Sequence, residues 1–246
     1  MARVLEHFTS EPRACAYLAR EEASLEYKIM LGIGAAELER LLERGWRRFG
    51  PAYFRPACAA CSACVPLRIP VDRFEPSRSQ RRVLRGGVDF ELEIGVPLVD
   101  ALRLELYELW HQDRSERRGW ADNEMDPQRY FHEFAFPHPA VREVTLWDPN
   151  GPSGRRLIAV GIMDETPEAF SAVYTYHHPA YQRRSLGTLS VLRQIELARR
   201  AQKRWLYLGY RVLGCVSSEY KAQFQPHELL HGWPGPEDAP DWRPAG

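Results

Sequence analysis

An α+β fold follows from three features of the sequence. The second half carries three strand-like runs, Val141–Trp147, Leu157–Met163 and Phe170–Tyr176, then a helical run, Leu189–Gln202, and a further strand, Trp205–Tyr210. The first half carries two helical periods with one strand between them. Between Tyr53 and Arg85 the chain has neither period, and is instead rich in Cys and Arg. A chain of 246 residues, 44% apolar and 27% charged, has ample core for a globular protein of one large or two small domains.

In chain order, residues 1–34 show no clear period and are expected to be irregular. Ala35–Trp46 places apolar residues at 35, 38, 41 and 42, a helical spacing that Gly45 ends. A cysteine loop follows, punctuated by Pro51, Pro56, Pro66 and Pro70. Val88–Val96 alternates as a half-buried strand, and Leu98–Arg117 carries Leu102, Leu106, Leu109 and Trp110 on one side of a helix. A short helix is expected over Pro127–Phe136. Asp148–Gly154 reads as a turn and the short loop after Met163 as the bend of a hairpin. The tail beyond Gly232 is rich in Pro and Gly and is expected to be disordered. No apolar run approaches the roughly 20 residues of a membrane span, and the first residues lack the apolar core of a secretory signal, so a cytoplasmic protein without membrane contact is expected.

Several groups of residues carry candidate chemistry. From Arg44 to Arg85 there are ten Arg, no Lys and two acids in a chain of zero net charge. That local excess suits a polyanion, and arginine forks suit phosphate oxygens. Arg68, Arg78, Arg81, Arg82 and Arg85 are the candidate phosphate contacts; the alternative is a solvated charged face. Cys58, Cys61 and Cys64 stand at CxxCxxC spacing, and Cys15 is the fourth thiol upstream. Four thiolates hold zinc or an iron–sulfur cluster; small buried residues in a tight loop are the alternative. No GxxxxGK[ST] loop is present, so nucleotide hydrolysis is not expected. The seven histidines from His111 to His231 have no metal-protease or triad context.

The order of three strands, Gly-containing loop, helix and strand is the core of a GNAT-type acyltransferase. Gln182-Arg183-Arg184-Ser185-Leu186-Gly187-Thr188 approximates the loop with which such enzymes hold a pyrophosphate against a helix N-terminus. An ordinary strand-to-helix turn is the alternative. Tyr207, Gly209 and Tyr210 lie on the strand where the acceptor cleft of that fold opens.

Three segments, RPACAACSACVPLRIPVDRFEPSRSQRR, VYTYHHPAYQRRSLGT and LYLGYRVLG with EYKAQFQP, resemble in order the bacterial aspartate/glutamate leucyltransferases, relatives of the eukaryotic arginyl-tRNA–protein transferases. The resemblance runs from about residue 12 to 233. It implies transfer of an aminoacyl group from charged tRNA to proteins with N-terminal Asp or Glu, marking them for degradation. Its domains are a cysteine region over 1–85 and a GNAT-like aminoacyl-transferase domain over 86–232. It matches Cys15, Cys58, Cys61 and Cys64 to cysteines that in the eukaryotic relatives are linked to a metal or cluster, with no cofactor required for transfer itself. It matches Arg78, Arg81 and Arg82 to a basic segment, Arg183, Arg184, Ser185, Leu186 and Gly187 to the family loop, and Tyr210 and Lys221 to a C-terminal motif. Arg211, Val216–Glu219 and Gln223 depart from the family pattern, which leaves leucine and arginine both open as the transferred residue.

In this reading the basic segment holds tRNA and the Arg183–Thr188 loop holds its terminal nucleotide or ester end. Arg183, Arg184, Arg211 or Lys221 supplies a cation for the acceptor's acidic side chain. Tyr176, Tyr210 and Glu219 are the candidate proton acceptors. An acetyl-CoA-dependent acetyltransferase and a non-catalytic metal-dependent tRNA-binding protein are the competing readings.

Overall fold

A computed structural model of the chain describes residues 3–120, 124–152 and 154–245. Two sheets carry the fold. The smaller has the order β1-β4-β6-β5, from Arg3–Thr9 (β1), Leu25–Leu31 (β4), Ala52–Pro56 (β6) and Arg47–Phe49 (β5). A two-residue hairpin, β2 (Arg13–Ala14) with β3 (Glu22–Ala23), lies between β1 and β4 in the chain. Helix α1 (Ala35–Glu43) buries Leu38 and Leu42 against Met30, Trp46 and Tyr53. Glu37 accepts from the Gly34 N–H at 3.0 Å and so closes the first turn of α1.

The larger sheet has eight strands in the order β14-β13-β7-β12-β11-β10-β9-β8. Their ranges are Cys64–Pro70 (β7), Glu91–Gly95 (β8), Val141–Gly151 (β9), Gly154–Glu165 (β10), Ala169–His177 (β11), Trp205–Val212 (β12), Glu228–His231 (β13) and Asp241–Pro244 (β14). Helices α2 (Arg78–Gly86) and α5 (Leu186–Arg200) cover one face, where Leu192 and Ile195 pack with Leu67, Ile69 and Leu206. On the other face, α3 (Ala101–Arg118) and α4 (Pro127–Tyr130) pack Leu106, Tyr107 and Tyr130 onto Val160 and Ile162. The central strands are buried over much of their length, β10 most continuously from Leu157 to Asp164, whereas the edge strands β8 and β14 are mostly exposed. The expected strand–strand–strand–helix–strand core is present as β9, β10, β11, α5 and β12, with β11 and β12 parallel.

Three expectations need correction. Residues 3–34, the described part of that stretch, are not irregular: they supply β1 to β4. All seven residues of β1 are exposed, so the strand has no buried face and writes no alternation into the sequence. The tail beyond Gly232 is not disordered over its described part. β14 pairs with β13, and the Trp242 indole donates to Glu43 O at 2.9 Å. Asp148–Gly154 is not a free turn, because β9 and β10 run on to Gly151 and Gly154. The helix expected over Pro127–Phe136 is α4 followed by a π turn, Phe131–Ala135.

The two sheets interlock. β7, from the cysteine- and arginine-rich region, is a strand of the large sheet, antiparallel to β12. The edge strand β5 runs against β11. Its Arg48 pairs with Asp164 of β10, both side chains almost fully buried. The next turn needs Gly50: its φ is +51°, and a Cβ there would lie 1.9 Å from His132 O.

Candidate active site

The large sheet splits at its centre. β11 and β12 pair only over Ala169–Ser171 and Trp205–Tyr207, then part. Two local features open them. β11 has an extra residue, Val173, between the partners of Ile162 and Met163. β12 shifts register against β7 between Tyr207 and Tyr210, and Gly209 takes φ +74° there.

Arg47, from β5, fills the foot of the split. Its guanidinium donates to Ser171 Oγ at 2.8 Å and to Ala172 O. It is 9% exposed, and burial pulls its pKa below the usual arginine range. Among the described residues no carboxylate pairs with it. Sequence reasoning missed this residue, since WRRF carries no signal that separates one arginine from the next.

Tyr210 and Lys221 stand beside Arg47. The Tyr210 hydroxyl donates to Gly45 O at 2.8 Å, and burial raises its pKa. Lys221 donates from Nζ to Tyr210 O at 2.7 Å. Burial, with the Arg47 charge second, brings its pKa down to about 8. Arg211 is spoken for, since it donates to Glu219 at 2.9 Å. Tyr176 lies apart from this group. It is fully buried on the α3 face, hydrogen-bonded to the Tyr130 hydroxyl at 2.6 Å, and its pKa is raised by burial. The tyrosines are therefore hard to deprotonate, and Glu219 is engaged with Arg211.

Beyond the end of β11 the chain makes a 3-10 turn, Pro179–Arg184, and enters α5 through Ser185. Ser185 has φ +53° and makes no side-chain cap, so the first N–H groups of α5 stay open to an anion. Arg183 and Arg184 are exposed beside that end. Gly187 lies against His177: a Cβ would be 3.5 Å from Nε2. Burial brings the pKa of His177 down to about 4, so the ring is neutral at pH 7.

Arg78, Arg81, Arg82 and Arg85 are exposed on α2, which Ser77 and Gln80 cap reciprocally. Among the described residues none of the four has a carboxylate partner. Arg68 does not belong with them. Its Nε and Nη2 both donate to Glu228 Oε2, at 2.9 and 2.8 Å, and it sits between the rings of Trp205 and Trp242.

Cys15, Cys58, Cys61 and Cys64 line one cavity of about 190 Å³. Burial and then the neighbouring thiols push Cys64 up to about 12. Their donor chemistry suits a soft metal. Their placement does not: among the described residues no three His, Cys, Asp or Glu side chains stand close enough to hold one ion. None of the helices among the described residues is long and apolar enough to cross a membrane.

Comparison with known proteins adds a second line of findings. The profile of the family "Arginine-tRNA-protein transferase, N terminus" matches residues 13–82, and that of "Arginine-tRNA-protein transferase, C terminus" matches residues 103–231. The aspartate/glutamate leucyltransferase of Helicobacter hepaticus is 30% identical over 238 residues, 97% of each chain. That of Aeromonas hydrophila is 38% identical over 225 residues, 88% of each chain. Among solved structures, L-PGS from Bacillus licheniformis aligns with TM-score 0.46 and 12% identity over 74% of this chain and 58% of that one. A tandem GNAT protein from the clavulanic acid pathway aligns with TM-score 0.43 and 16% identity over 73% of this chain and 51% of that one.

Proposed function

The chain belongs to the arginine-tRNA-protein transferase family and is an aminoacyltransferase; from that premise we propose that it moves leucine from leucyl-tRNA to the α-amine of cytoplasmic proteins beginning with Asp or Glu. In the transfer, the amine nitrogen attacks the ester carbonyl carbon. The C–N amide bond forms, the ester C–O bond breaks, and the terminal ribose hydroxyl leaves with a proton. The ester is already activated, so holding the two reactants together supplies roughly 7–11 kcal/mol of the barrier. A free α-amine has a pKa of about 7.7–8.0, so much of it is neutral near pH 7 and needs little help from a base.

Each part of the site has a role in this reading. The exposed arginines of α2 hold tRNA phosphates. The open N-terminus of α5, with Arg183 and Arg184, takes a phosphate of the 3′ end. The split between β11 and β12 receives the acceptor. The single observation that best supports this placement is Lys221, a half-buried cation beside the split with no carboxylate partner among the described residues. A carboxylate on the acceptor completes it with a charge-assisted hydrogen bond, and an amide does so less well.

The four cysteines are the set that would have to draw together to hold a metal. Their role is structural in this reading, and no step of transfer passes through them.

The test is transfer from labelled leucyl- and arginyl-tRNA to peptides that differ only in residue one. Label is expected in the Asp and Glu peptides from leucyl-tRNA. Label from arginyl-tRNA alone makes this an arginyltransferase. A folded protein that labels no peptide overturns the reading.

A further inference from the structure

We propose that Arg47 is a specificity-determining residue of this site, its guanidinium receiving, beside the Lys221 ammonium, the side-chain carboxylate of the acceptor's first residue. The inference rests on the transferase reading and adds a contact that the family resemblance did not include.

The argument starts from a contrast among buried arginines. Arg47, Arg48 and Arg103 are 9%, 5% and 6% exposed. Arg48 is paired with Asp164 and Arg103 with Glu143. Among the described residues, Arg47 donates only to a hydroxyl and a carbonyl. Those neutral acceptors orient a guanidinium, but they do not offset its charge. A buried cation without a counter-ion is costly, and it persists where a ligand supplies the missing anion.

The surroundings point the same way. A Cβ on Gly209 would lie 3.6 Å from Arg47 Nε and 3.7 Å from Cζ and Nη2. Because that residue is glycine, β12 places no side chain of residue 209 against this side of the guanidinium. The next residue, Tyr210, holds Lys221 through its carbonyl. Two cations without carboxylates thus meet β12 at adjacent residues, where it leaves β11. Their charges oppose one another, and a carboxylate shared between them relieves both. The other candidate cations do not compete, since Arg211 is paired with Glu219 and Arg183 and Arg184 are exposed on their loop.

The experiment compares kcat/KM for peptides beginning with Asp and with Asn, using the full chain and leucyl-tRNA, at peptide concentrations high enough to register the slow substrate. Arg47→Gln is expected to cut the Asp-to-Asn ratio at least tenfold, mainly through a higher KM for the Asp peptide. Should that variant fail to fold, Arg47→Lys, which keeps the charge and loses the fork, is expected to cut the ratio at least threefold. If the folded variant loses activity on both peptides equally, Arg47 only wedges the strands apart and the proposal is overturned. If the wild type transfers to the Asp peptide and the variant's ratio is unchanged, the proposal fails while the transferase reading stands. A wild type that transfers to neither peptide overturns both.

Discussion

Helix α2 and the foot of the split both hold cations that, among the described residues, have no carboxylate ion-paired to them, yet the two places are physically unlike. On α2, Arg78, Arg81, Arg82 and Arg85 stand in water, where each charge is solvated and salt-screened. In the split, Arg47 is buried and Lys221 half-buried, so their charges are less solvated and less screened. An exposed set suits a large polyanion held by many weak contacts. A pair withdrawn from water suits one small anion held by a few strong ones. In the proposed reading the same residue types serve the two substrates in two dielectric environments.

The largest expected effect comes from making Arg48 resemble Arg47. Asp164→Ala strips Arg48 of its buried partner and is expected to cost about 3–5 kcal/mol of stability, read as a fall in the denaturation midpoint. A midpoint that does not move means that burial alone does not set the cost of an unpaired arginine, and the contrast loses its basis. Next, Lys221→Met is expected to lower kcat/KM for the Asp peptide roughly 10- to 100-fold through a lost charge-assisted hydrogen bond. The Kd for leucyl-tRNA is expected to stay the same. Reversing Arg78, Arg81 and Arg82 to Glu is expected to do the opposite: weaker tRNA binding with a salt slope flatter by roughly 2–3, and an unchanged peptide KM.

The smallest effect separates the two regions by pH. The Lys221 pKa lies near 8, below its usual value, so its ammonium is lost as pH rises through about 8. The KM for the Asp peptide is expected to climb above that pH in the wild type, whereas the Kd for leucyl-tRNA, which Lys221 does not contact in this reading, is expected to stay flat. Stability responds with the opposite sign. Between about 8 and the ordinary lysine value the unfolded chain binds more protons, so the fold gains stability with rising pH, and Lys221→Met removes that gain. A KM that is flat from pH 7 to 9 removes Lys221 from the acceptor site.

The division was only partly legible in the sequence. The order β9, β10, β11, α5, β12 could be read because these strands carry long buried stretches and the helix buries one broad face. The α2 arginines could be read because they crowd together without acid. Arg68 looked the same in that run; its partner Glu228 lies 160 positions away, and only the β7–β13 register brings them together. Arg47 was illegible for the same reason in reverse, since its lack of a partner is a property of the split. Strands β1 and β14 escaped because an exposed edge strand needs no alternating pattern. Gly209 could be noticed as a glycine in a strand, and the structure shows what it leaves open.

The seating of β5 against β11 sets how this protein can be divided. Arg47 belongs to the small sheet, yet Ser171 and Ala172, which hold it, belong to the large one. A fragment that begins after β5 would keep the acyltransferase core but lose the guanidinium that fills the foot of its split, and would leave a strand carbonyl without its donor. The two halves are therefore not portable modules. In a chimera between relatives, residues 45–48, 169–172 and 209–210 have to travel together, because they are three separate stretches of chain that make up one lock.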